Sequence, residues 1–115
     1  MSIKHQEYFK TEWMIRNEEW ARSQDFFDDV RVVSMAANIV DGHLIVGNRH
    51  FCPIMQMQID LLGLNSRKHN ISTDQGFVDQ WGIYMSRQEA WSVAKKQGQI
   101  KEVFEEGVLY SECYL

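Results

Sequence analysis

Long apolar runs, cysteine, proline and surplus positive charge are all scarce in this sequence, and each shortage excludes something. No apolar run approaches the roughly 18 residues that a membrane span needs, so no membrane partner is expected. The N-terminus has no apolar leader core, and the expected location is therefore the cytoplasm. The two cysteines, Cys52 and Cys113, lie far apart with no metal-type spacing, so they read as free thiols in a reducing compartment. Low-complexity segments and internal repeats are missing, and Pro53 is the only proline. A net charge of −4 argues against general nucleic-acid binding but permits a small anionic ligand held by a few local arginines. The chain carries no P-loop, GxGxxG, Nudix, GxSxG or HExxH pattern. His43 and His50 have no carboxylate or cysteine at ligand spacing, so neither a metal nor a cofactor is expected.

What is present centres on Val32 to His50, VVSMAANIVDGHLIVGNRH. Two apolar runs flank Asp41-Gly42, a pair suited to the tight type I′ turn of a β-hairpin because both central residues need positive φ. Strict alternation puts Val32, Ser34, Ala36 and Asn38 on one face of the first strand, and Val33, Met35, Ala37 and Ile39 on the other. The second strand delivers Asn48, Arg49 and His50 where it ends, a place from which polar groups can hold a ligand. Gln75-Gly76-Phe77-Val78-Asp79-Gln80 reads as the other half of such a site.

Length and composition fit one domain preceded by an extension: residues 1–29 are a helical segment and residues 30–115 a single α+β domain. Tyr8, Phe9, Trp13, Arg16, Trp20 and Phe27 recur at near-helical spacing, which predicts an amphipathic helix from about Glu7 to Arg22. Its aromatic face either docks on the sheet or serves an oligomer contact or lid. It is too acidic for a good membrane-surface helix. Cys52-Pro53 opens a second helix, with Ile54, Met55, Ile59, Leu61 and Leu62 as its buried stripe and Gly63 as its stop. Residues 64–74 read as a polar loop. A second hairpin follows, Gly76 to Asp79 against Ile83 to Met85, with Gly82 in the left-handed position. Ser86-Arg87-Gln88-Glu89 forms a capping box for a helix from about Arg87 to Gln97, ended by Gly98. A turn at 105–107 and a short strand at 108–110 close the chain. The fold class is α+β, with antiparallel hairpins and helices packed on one face.

Several side chains could carry chemistry. Arg49 offers a planar fork suited to phosphate, with His50 as a donor beside it; the bland alternatives are an exposed Arg and a structural His. Phe77 could stack on a base, and Asp79 could accept from a base edge or a ribose hydroxyl. Equally, Phe77 could be core and Asp79 could cap the turn. Gly76 permits close approach of backbone or ligand. Arg87 sits at a helix start, where an anion rather than a cation is favoured. Tyr110, Ser111 and Glu112 form a last polar cluster. His43, His69 and Asp79 are titratable, but no spacing ties them into a catalytic set.

The runs AANIVDGHLIVGNRH, QGFVDQWGIYMSRQEAWSVAKKQGQI and LYSECYL together resemble the first Thoeris anti-defence family of small phage and prophage proteins. The resemblance covers about Val32 to Leu115. It implies a sponge, not an enzyme, that sequesters cyclic ADP-ribose isomers or cyclic oligonucleotide signals and assembles as a homo-oligomer, a dimer or a hexamer. Carried over by position, it implies ligand contacts from Arg49, His50, Gln75, Phe77, Asp79, Arg87, Tyr110 and Ser111. Gln88 and Cys113 depart from the pattern, each where relatives tend to carry acidic character. The aromatic N-terminal helix is an addition. Two other readings stand beside the sponge. One is a metal-independent phosphodiesterase with His50 as acid/base and Arg49 as anion clamp. The other is a protein-interaction module working through Trp13 and Trp20.

Overall fold

The computed structural model describes residues 8–64, 75–101 and 106–110. Asp41 and Gly42 take φ of 49° and 76°, the mirror-image turn that matches strand twist. They join β1 (Val33–Val40) to β2 (His43–Gly47) in an antiparallel pair. β3 (Gln75–Asp79) pairs antiparallel with the other side of β1, and β4 (Tyr84–Ser86) with β3, giving the sheet order β2-β1-β3-β4. β1 and β3 are thus the central strands. The β3–β4 connection is fixed by Asp79, whose Oδ1 accepts the Trp81 and Ile83 N–H groups at 2.8 and 3.0 Å, with Gly82 at φ 80°.

Strict alternation fails at one point. A bulge lies between Val33 and Met35, so Val33 faces the same core as Ala36 and Val40 instead of the opposite face with Met35, Ala37 and Ile39. One extra residue in a strand reverses the facing of everything before it.

The main core lies between one sheet face and two helices, α3 (Pro53–Leu62) and α4 (Arg87–Lys96). Met55 and Ile59 come from α3, Ala90, Trp91 and Ala94 from α4, and Val33, Ala36, Val40, Ile45, Phe77 and Met85 from the sheet. Phe77 is fully buried at its centre. On the other face, Ala37, Ile39, Val78 and Tyr84 form a second cluster with Met35, Leu44, Val46 and Tyr8. β1 and β3 are buried on both sides, which is why their apolar runs barely alternate. Gly63, left-handed at φ 66°, ends α3 as expected. The buried stripe of α3 is narrower than its sequence suggests: Ile54, Leu61 and Leu62 are exposed.

The N-terminal helix α1 (Glu12–Ser23) starts later than Glu7, because the Thr11 hydroxyl caps it by accepting the Met14 N–H at 3.2 Å. The short α2 (Phe27–Val30) follows before β1. α1 does not dock its aromatic face. Only Ala21 is buried, while Trp13 and Trp20 are 74% and 53% exposed. It is held to the domain by Asn17 Nδ2 donating to the Trp81 carbonyl at 2.8 Å and by Ala21, which packs with Phe27 of α2 against Ile83 and Trp81. Among the described residues, no helix is long and apolar enough to cross a membrane.

Candidate functional site

Two polar clusters lie at opposite ends of β3, about 13 Å apart by strand rise. At the first, a single row crosses the sheet. Ile45 on β2 pairs with Asn38 on β1, Asn38 with Gln75 on β3, and the neighbouring Gly76 with Ser86, the cap of α4. Arg87, the first residue of α4, is buried and donates through Nη2 to Gln75 Oε1 and through Nη1 to the Leu109 carbonyl at 2.7 Å. Its guanidinium lies 4.6 Å from the centre of the Tyr110 ring. The segment 106–110 is held there by the Leu109 N–H, which donates to the Arg87 carbonyl at 3.1 Å. The expected last strand reduces to a single bridge at Val108.

His50 reaches the same region from the end of β2. Phe51, at φ 55°, reverses the chain after the strand. The turn sends Arg49 outward and His50 back over the sheet, where Nε2 meets the Gly76 carbonyl at 2.7 Å and the ring stands edge-on to Phe77 at 5.0 Å. A carbonyl oxygen only accepts, so Nε2 carries the proton. The next thiol, Cys52, sits at the head of α3. Burial pushes it up, but the surrounding main-chain groups of Arg49, Met55, Ile54 and Asn48 outweigh this and hold it below its ordinary value.

The structure therefore brings together His50, Gln75, Arg87 and Tyr110, with Arg49 exposed on the adjoining turn. Phe77 does not present a ring for stacking: it is core, with His50 against its edge. Gly76 serves a close approach, but by protein. A Cβ there would fall 2.2 Å from the Met85 carbonyl and 2.5 Å from the Tyr84 hydroxyl. Ser111 lies outside the described residues.

Asp79 belongs to the other end. Its Oδ2 accepts from Arg31 Nε at 2.8 Å, and Arg31 Nη1 donates to Glu89 Oε2 at 3.1 Å. Asp79 and Arg31 are buried, and the Arg31 guanidinium lies over the Phe27 ring at 4.9 Å. Asp79 is thus occupied by the fold, and assigning it to ligand contact is corrected. The capping box is also half made. Ser86 Oγ accepts the Glu89 N–H at 3.1 Å, while the Glu89 carboxylate faces Arg31.

Sequence reasoning missed Arg31, Glu89 and Asn38. Asn38 left a trace: it is a lone amide inside the apolar stretch Met35 to Val40. Among the described residues there is no cluster of three metal-ligating side chains.

These elements define a small α+β domain built on a four-stranded antiparallel sheet. The chain belongs to the family of the phage T4 y16D protein, a phage protein family whose model matches residues 31–114. The segment carrying α1 precedes the match. No curated protein and no solved structure matches the chain.

Proposed function

We propose that this is a phage-encoded anti-defence protein that binds and sequesters a cyclic nucleotide immune signal, a cyclic ADP-ribose isomer or a cyclic oligonucleotide, without cleaving it. The observation that carries the reading is Arg87, held rigidly by Gln75 and the Leu109 carbonyl beneath the Tyr110 ring, with His50 on the Gly76 carbonyl next to Gln75. A nucleotide needs cationic donors for phosphate and a π surface for its base. The half-buried Tyr110 ring, backed on one face by Arg87, supports the π role, and Arg49 adds an exposed cation at the edge of the cluster. His50 supports holding over proton transfer, because its Nε2 proton is engaged by a main-chain carbonyl.

Calorimetric titration with cyclic ADP-ribose isomers and cyclic di- and trinucleotides tests this, followed by heat release and chromatography of the ligand. Tight binding with intact recovery is expected. Altered ligand makes the protein a phosphodiesterase, and no binding removes the reading. Arg49→Ala should weaken binding by about 1.5–3 kcal/mol, the worth of a charge-assisted hydrogen bond; unchanged affinity removes Arg49 from the site.

A protein-interaction role draws on a separate observation. Trp13 and Trp20 stand largely exposed on α1, seven residues apart and so on one stripe. Beside them a cavity of about 250 Å³ opens between α1 and the sheet, walled by Tyr8, Trp13, Leu44 and Trp81. Trp13→Glu with Trp20→Glu should leave nucleotide affinity unchanged under the sponge reading and abolish in-cell activity under the interaction reading.

A further inference from the structure

Asn38 stands within β1 with no exposed surface, and among the described residues neither its Oδ1 nor its Nδ2 has a hydrogen-bond partner. Buried amides in native proteins are almost always satisfied, so an exception on a central strand calls for a reason. The fold supplies none. Ala36 and Val40 flank Asn38 on the same face, and Ile45 is its cross-strand neighbour, all buried and apolar. An apolar side chain of the same size would fill this place without the cost of two unmet polar groups. Its other cross-strand neighbour is Gln75, the residue that anchors Arg87. Directly opposed side chains on one sheet face lie within reach of a shared partner.

We infer that Asn38 is a specificity-determining residue of the strand-end site, where it reads the donor–acceptor edge of a nucleobase. This rests on the reading of that site as a nucleotide site. The chemistry of the amide selects the group. Asn presents an acceptor next to a donor, so a phosphate could meet only Nδ2 and would leave Oδ1 unpaired. A base edge with an exocyclic amine beside a ring nitrogen, as in adenine, meets both at once, the pairing Asn makes with adenine elsewhere. Because both Asn38 atoms are enclosed, the base displaces covering groups as it enters, and binding is accompanied by local rearrangement. The position trades stability for recognition.

The test compares wild type with Asn38→Leu, using cyclic ADP-ribose and ribose 5-phosphate as probes and thermal melting as a second readout. The expected result is a melting temperature raised by several degrees, a loss of at least tenfold in affinity for cyclic ADP-ribose, and ribose 5-phosphate affinity unchanged within twofold. Equal binding of cyclic ADP-ribose by both proteins overturns the inference alone and leaves the sponge reading standing. A lowered melting temperature also overturns it, because a buried water then satisfies the amide. If wild type binds neither these probes nor the cyclic di- and trinucleotides, the strand-end reading and this inference fall together. Nitrogen-15 spectra of wild type supply a check that does not require the variant to fold. The Asn38 side-chain amide resonance, assigned in wild type by through-bond correlation to its own Cβ and Cα, should shift on addition of cyclic ADP-ribose; an unmoved resonance under saturation overturns the inference.

Discussion

The two ends of β3 each hold a buried arginine and treat it differently. At the Asp79 end, Arg31 meets two carboxylates, and Asp79 spends both oxygens, one on Arg31 and one on the N–H groups of its own turn. At the Gln75 end, Arg87 donates to a side-chain amide and a main-chain carbonyl under an aromatic ring, and a fully buried amide next in the row has no partner. The first end is a structural joint in which Asp79 is saturated, although Arg31 Nη2 is buried with no partner among the described residues. The second keeps polar groups that the sheet does not need, and such surplus is where recognition is to be sought. Sequence proximity misleads here: Gln75 and Asp79 share one motif, yet a strand carries them to different ends and different tasks.

The comparison predicts its largest effect at the joint. Asp79→Ala leaves Arg31 buried with one carboxylate and strips the cap from the β3–β4 turn. Breaking a buried ion pair from one side costs about 3–5 kcal/mol, and denaturant unfolding should show it. Asp79→Asn separates the two roles, because its Oδ1 still accepts the Trp81 and Ile83 N–H groups while the ion pair is lost. A loss below about 1 kcal/mol for Asp79→Ala would sink the description of this end as a joint.

Gly76→Ala comes next. The added Cβ meets the Met85 carbonyl, which belongs to the adjoining strand and cannot swing aside. Overpacking of this kind costs about 1–3 kcal/mol. Tyr84→Phe in the same background should not restore stability, since it removes the hydroxyl and leaves the carbonyl. Full rescue by Tyr84→Phe would show that the hydroxyl was the obstacle. A smaller change is expected from Arg87→Lys. It keeps the charge but loses the fork that spans Gln75 and Leu109, so stability should fall by about 1–2 kcal/mol. Affinity for cyclic ADP-ribose should fall with it under the sponge reading. Unchanged stability would break the contrast from the other side, by removing any positional role of the guanidinium.

Much of the fold was legible because its signals are local. Asp41-Gly42, Pro53, Gly63, Gly82 and Ser86 each fix a turn or a helix end within a few residues, and each acts in its expected place. What the sequence hid depends on packing. The bulge that turns Val33 inward depends on pairing with β3, and no residue type announces it. Phe77 suited stacking on a base as well as it suited a core, and only the arrival of α3 and α4 decides between them. Nothing local marks Arg31, because the partner that closes on it lies 48 positions away. The exposed Trp13 and Trp20 reversed the usual expectation that an aromatic stripe is a buried one. The site was half legible for the same reason: residue types pointed to Arg87 and Gln75, whereas the row joining them to Asn38 exists only in the sheet register.

A third ionic cluster tests whether burial or charge count makes the Asp79 end strong. On α1, Glu18 accepts from Lys10 Nζ at 3.1 Å and Arg22 Nε at 2.8 Å, one acid between two cations, the mirror of Arg31 between two acids. Partial burial works to raise the Glu18 carboxyl, but the hydrogen bonds and charge of Arg22 and Lys10 outweigh it and hold it below its ordinary value. A carboxyl depressed in the folded state contributes stability above its unfolded value, about 4.3, and loses that contribution as pH falls through the folded value. The contribution is small, because water and salt screen a pair on an exposed helix; exposed pairs are worth about 0–1 kcal/mol. Thermal melting of wild type and Glu18→Gln should therefore differ slightly at pH 6, and the difference should shrink as pH falls below the ordinary carboxyl value, about 4.3. If Glu18→Gln costs as much as Asp79→Ala, burial is not what separates the clusters, and the strength of the Asp79 end has to be sought in the turn it caps.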